Sequence, residues 1–177
     1  DFCSWYLEWV KPGFEQPIDK AVYEKTIGFF EELMQLLHPF LPFITEEIYH
    51  QLKERNDDLT VKQLHLTDGF NGTTIGTGIL LKEIITSIRD ARNKNHLKPK
   101  DSIKLHVQTV NPNLYELIKD ILFKQVNAES LTYIQSTVAN SITVVVQKDK
   151  FYIETTTELE TTSQKEQLQK DLDYQKG

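Results

Sequence analysis

Little in this sequence can staple the fold or span a membrane. One cysteine, Cys3, occurs in 177 residues, so no intrachain disulfide can form, and no Cys/His spacing fits a zinc site. No apolar run approaches the roughly 18 residues that a transmembrane helix needs. Repeats are absent. Positive charge is the minority sign, with 20 Lys+Arg against 26 Asp+Glu and a net charge of −6. The summed field therefore opposes nucleic acid, and any such binding must come from a local patch. A lone thiol and no signal-peptide layout imply a reducing, cytoplasmic compartment.

What is present suits a globular protein: 39% apolar and 26% charged residues, enough for a core and against disorder. Phe2, Trp5, Tyr6, Trp9 and Val10 form one apolar helical face that is already under way at the first residue. Pro12-Gly13 ends that helix. Val22, Ile27, Phe30, Leu33 and Leu37 predict a second helix over 18–37, followed by a rigid connection, His38-Pro39-Phe40-Leu41-Pro42-Phe43-Ile44. Thr45 is placed to cap a third helix, 46 to about 55, with Ile44 stapled on Tyr49. Residues 56–78, rich in glycine, are predicted as a loop. A fourth helix, 79–95, buries Leu81, Ile84, Ile85 and Ile88.

After Pro99 the apolar period changes from about 3.6 to 2. Ile103, Leu105 and Val107 predict a strand, 113–124 a helix, and 131–134, 142–147 and 151–154 further strands. The fold class is mainly α: a helical bundle at 1–97, a small α/β subdomain at 98–158, and a helical stub at 159–177. The polar stub, with Leu168 and Leu172 four apart, and the abrupt start imply a piece of a larger protein.

The chemistry is sparse. Glu47-x-x-His50 shares a helix face at a di-iron spacing, but such bundles use the motif twice; a solvated face explains it more simply, and a metallo-bundle enzyme is the weakest alternative. The glycines at 72–78 follow no strand and contain no Gly-Lys-Ser/Thr, so they are no phosphate loop. No nucleophile can be placed beside a base. No catalytic, cofactor or metal residues are assigned.

One cluster stands apart. Between Arg89 and Lys104 lie six cations (Arg89, Arg92, Lys94, Lys98, Lys100, Lys104) against Asp90 and Asp101, a local +4. Arg89, Arg92, Asn93 and His96 recur at helical spacing. Arginine pairs with phosphate and stacks on bases, and asparagine reads base edges. The alternative is a solvated helix end whose cations offset the dipole. Phe40 and Phe43 flank Pro42, a geometry that can offer one ring for base stacking while the other enters the core.

Three segments also carry a resemblance. Asp1-Phe2-Cys3-Ser4-Trp5-Tyr6-Leu7-Glu8-Trp9-Val10-Lys11-Pro12 resembles the helix opening the anticodon-binding domain of class I aminoacyl-tRNA synthetases of the valine/isoleucine/leucine group, with Ser4 where the family often has Asp. Leu36-Leu37-His38-Pro39-Phe40-Leu41-Pro42-Phe43-Ile44-Thr45-Glu46-Glu47 is similar to the form in the valine-specific members. Ile88-Arg89-Asp90-Ala91-Arg92-Asn93 with Leu97-Lys98-Pro99 resembles a later family helix and its exit. The resemblance covers residues 1 to about 107.

It implies a tRNA-binding fragment, without the catalytic core or editing domain, of a ligase that joins valine to its tRNA using ATP and magnesium. The implied partners are valine tRNA, through its anticodon stem-loop, and the rest of the synthetase chain; the fragment is expected to be a monomer. The stub at 159–177 resembles the start of a coiled-coil arm. Phe43 is expected to stack on a base, Arg89 and Arg92 to contact phosphate or base, Asn93 to read a base edge, and Lys94, Lys98 and Lys100 to track the backbone. The rival from another class is a helical protein-interaction or scaffolding module with no nucleic-acid role.

Overall fold

The computed structural model describes residues 1–63 and 69–155. The chain divides into two compact units, 1–71 and 72–177. The stub at 159–177, and with it the coiled-coil expectation, lies outside the described residues.

The first unit opens with a π-helical turn, Phe2–Tyr6, running into α1, Leu7–Val10. Aromatic contacts hold it to α2, Lys20–Leu37: Phe2 stacks on Phe30 at 6.1 Å between ring centroids, and Tyr6 meets Phe29 edge-on at 5.4 Å. α2 begins where Asp19 caps it, its carboxylate accepting from the amides of Ala21 and Val22 at 2.9 and 3.1 Å. Met34 joins Tyr49 and Leu59 in a small core flanked by Phe30, Leu33 and Ile48. Leu37, expected inside, is 43% exposed.

α3 is Pro42–Leu52, starting earlier than predicted because Pro42 occupies the first turn, where its missing N–H costs nothing. Thr45 is therefore not the cap. It is buried inside the helix, its hydroxyl donating to the Leu41 carbonyl at 2.8 Å and lying 2.8 Å from His38 Nδ1. Ile44 is exposed and forms no staple. His38 Nε2 continues to the Thr60 hydroxyl at 2.9 Å, tying the end of α2 to the short 3₁₀ turn Leu59–Val61. Partial burial opposes ionisation of Glu46, but the amides of Leu59 and Thr60 and the Thr60 hydroxyl donate to it and hold its pKa below the ordinary value. A hydrogen bond from Arg55, then one from Lys62, does the same for Glu31 against the effect of burial. The Arg55 guanidinium also lies over the Tyr49 ring, 3.8 Å from its centroid.

The second unit begins with α4, Gly72–Lys94. Residues 72–78, predicted as loop, form its first turns. Each glycine costs a helix about 1 kcal/mol relative to alanine, but Leu80, Leu81, Ile84, Ile85 and Ile88 anchor the following turns in the core. α4 packs on α5, Pro112–Val126, and on β3, Ile142–Val146. The helix that the sequence reading grouped with the bundle up to 97 thus sits in the same compact unit as the sheet. β1, Ile103–Gln108, lies parallel to β2, Ala128–Tyr133, through the α5 crossover, and antiparallel to β4, Asp149–Thr155. The strand order is β2-β1-β4-β3. Ile103, Leu105 and Val107 alternate inward as predicted, and Tyr115 packs edge-on against Phe151 at 5.8 Å. Helix predominates, with five α-helices against four strands among the described residues, none of them long and apolar enough to cross a membrane.

Candidate nucleic-acid interface

The basic cluster forms where α4 ends. His96 adopts a left-handed conformation (φ 56°), and the Leu97 amide turns back to the Arg92 carbonyl at 2.9 Å, stopping the helix. α5 ends in the same way at Asn127 (φ 51°), whose side-chain amide donates to the Lys100 carbonyl at 2.8 Å. The two helix ends line a half-open pocket of about 340 Å³.

Arg89 is exposed beside it and donates to the carbonyl and the side-chain oxygen of Gln125 at 3.0 and 2.9 Å. Arg92 departs from expectation. It is 4% exposed, and its guanidinium is spent on backbone: Nη1 donates to the Val126 carbonyl at 2.5 Å, and Nη2 to the carbonyls of Lys98 and Asp101. Burial pulls its pKa down, opposed by the Asp101 charge. Its Nε is buried without a partner. Arg92 thus pins the 97–101 turn to the end of α5. The signal for this lay in the sequence: Arg92 follows Ile88 by four residues and extends the buried Leu81, Ile84/Ile85, Ile88 stripe.

Asn93, Lys94, Lys98 and Lys100 are exposed. Arg89, Arg92 and Asn93 line the cavity together with Lys124, Gln125 and Asn127. These last three, at the end of α5 and its cap, were missed because proximity across more than 30 residues leaves no trace in local spacing. Phe43 belongs to the first unit and is 91% exposed; Phe40 is 80% exposed, so neither ring enters the core.

Charge divides along the same line. Residues 1–71 hold six Lys+Arg against thirteen Asp+Glu, a net −7, whereas 72–155 hold eleven against eight, a net +3. The Glu47–His50 pairing does not form: Glu47 accepts from Gln51 at 2.7 Å. His50 Nε2 instead lies 3.3 Å from Glu46 and 3.2 Å from Asp58, a polar cluster whose Glu46 already serves the Leu59 and Thr60 amides.

Comparison with known proteins gives this arrangement a relationship. Residues 1–109 match the family described as the anticodon-binding domain of tRNA ligase. Over its full length the chain is 36% identical to valine–tRNA ligase of Phocaeicola vulgatus and 34% identical to that of Parabacteroides distasonis, covering 20% of each. It is 33% identical over 146 residues, 75% of the chain, to valine–tRNA ligase of Fusobacterium nucleatum, covering 16% of it. The chain thus spans about one fifth of the length of the curated relatives that it matches.

Proposed function

This chain belongs to the anticodon-binding domain family of tRNA ligases, and from that premise we propose that it is the anticodon-binding part of a bacterial-type valine–tRNA ligase. Its own task is recognition without chemistry. The parent enzyme joins valine to its tRNA with ATP and magnesium in the cytoplasm. The fragment is a monomer whose partner is the anticodon stem-loop of valine tRNA. Residues 1–97 supply the anticodon-binding domain, 98–158 a small α/β subdomain, and 159–177 the start of a coiled-coil tRNA arm.

Valine anticodons share a central A followed by C, and unpaired loop bases can be splayed, stacked and hydrogen-bonded. Arg89 contacts phosphate, Asn93 reads a base edge, and Lys94, Lys98 and Lys100 follow the backbone. Phe43 stacks on an exposed base. Arg92 contributes as the residue that holds the contact turn in shape. The observation that carries this reading is the full-length similarity to valine–tRNA ligases.

The test is a fluorescence titration of the intact chain with valine tRNA at roughly 50 and 200 mM salt, where phosphate contacts show themselves. A tRNA with its central anticodon A replaced runs alongside. Salt-sensitive binding that weakens with the altered anticodon supports the reading. Failure of both tRNAs to bind overturns it in favour of a protein-interaction module.

A further inference from the structure

The cavity between the ends of α4 and α5 has a composition that its structural role does not account for. Arg92 is almost fully buried, and although the nearby Asp101 charge favours its ionised form, no carboxylate accepts a hydrogen bond from it. Arg92 is hydrogen-bonded only to carbonyl oxygens, and its Nε has no partner. Two further cations, Arg89 and Lys124, line the same cavity, and no Asp or Glu does. The remaining lining is of two kinds. Leu97, Pro99 and Val126 are apolar, and Asn93, Gln125 and Asn127 carry amides that can both donate and accept. At about 340 Å³ the space lies at the small end of the roughly 300–1,000 Å³ that small-molecule sites occupy.

An anion alone would need the cations but not the apolar wall or the amides. A purely apolar ligand would need only the wall. From this combination we propose that the cavity takes one unpaired nucleotide, its phosphate toward the three cations and its base against the apolar wall within reach of the amides. The proposal rests on the reading of the α4 end as a tRNA surface and deepens it, bringing in Lys124, Gln125 and Asn127. Asn93 and Asn127 act as specificity residues, because amides offer paired donor and acceptor positions to a base edge.

The experiment follows the side-chain amide signals of Asn93, Gln125 and Asn127 by heteronuclear NMR in the intact, isotope-labelled chain. Adenosine 5′-monophosphate, adenosine and inorganic phosphate are the probes, and a valine tRNA anticodon stem-loop is titrated separately. The expected result is that the nucleotide shifts these three amides at concentrations about 10-fold lower than adenosine or phosphate. An Asn93→Ala chain, altered at an exposed position, retains the phosphate response and loses the advantage of the nucleotide.

Equal responses to the nucleotide and to phosphate reduce the cavity to an anion site and overturn the proposal. Silence of the amides toward about 10 mM nucleotide, a level that detects even weak millimolar sites, also overturns it; if the stem-loop still binds, the tRNA reading survives. Nucleotide shifts without stem-loop binding support the site and remove the anticodon reading instead.

Discussion

The described part of 1–71 buries three large apolar side chains, Met34, Tyr49 and Leu59, while the described part of 72–177 buries nineteen apolar residues. Among the described residues, the first unit leaves Phe14, Phe40, Phe43, Val61 and Phe70 more than 70% exposed, and in the second only Val110 and Leu117 are comparably bare. The charges differ in sign as well. The lesson is a division of labour. The α/β unit closes its own core and presents cations outward. The helical unit is acidic, thinly cored and held by aromatic contacts together with polar ties: His38 between Thr45 and Thr60, Glu46 on the 59–60 amides, and Arg55 between Glu31 and Tyr49.

The contrast can be broken most sharply in the second unit. Leu122→Ala, at a fully buried position in α5, should cost about 2–5 kcal/mol of stability, read from chemical denaturation. Phe40→Ala in the first unit should change it by less than about 0.5 kcal/mol. Comparable losses would show that the Phe40 ring is buried rather than exposed. Arg92→Met should cost about 3 kcal/mol, because one buried and two partly buried carbonyls lose their donor; a neutral outcome would return Arg92 to the surface role that its helical spacing first implied.

The pH limits should separate the units by smaller amounts. Glu31 and Glu46, both in the first unit, have folded pKa values below their unfolded ones. Their contribution is complete above about pH 4.5 and is lost as pH falls through the folded values. In the second unit, burial, followed by hydrogen bonds to Asp149 and Glu116, raises Tyr115 and Tyr133, the latter to about 12. Unfolded tyrosines ionise near 10, so the second unit should weaken as pH rises from about 10 toward those values. Acid and alkaline unfolding followed by resolved NMR signals should therefore begin in different units, and Glu31→Gln should flatten the acid limb.

Much of this was legible from residue patterns, and the exceptions have physical causes. Alternation at Ile103, Leu105 and Val107 and the stripe at Leu81, Ile84, Ile85 and Ile88 reported their elements directly, because burial on one face imposes the period. Gly72, Gly76 and Gly78 misled because local propensity is weak beside the burial that follows them. Thr45 misled because Pro42 could start the helix four residues sooner. Arg92 was read by its charge when its position on the Ile88 face was the better guide. The cavity itself lay beyond reach, since it exists only once α5 returns its last turn to the end of α4.

The most direct test of the claim that the basic end of the second unit meets tRNA is the salt dependence of binding. Valine tRNA would be titrated against the intact chain and against the triple variant Lys94→Ala, Lys98→Ala, Lys100→Ala, all exposed positions. At roughly 0.7 per phosphate contact for unpaired RNA, the slope of log affinity against log salt should shrink by about 2 in the variant. An unchanged affinity and slope would contradict the account and move the tRNA contact elsewhere on the chain.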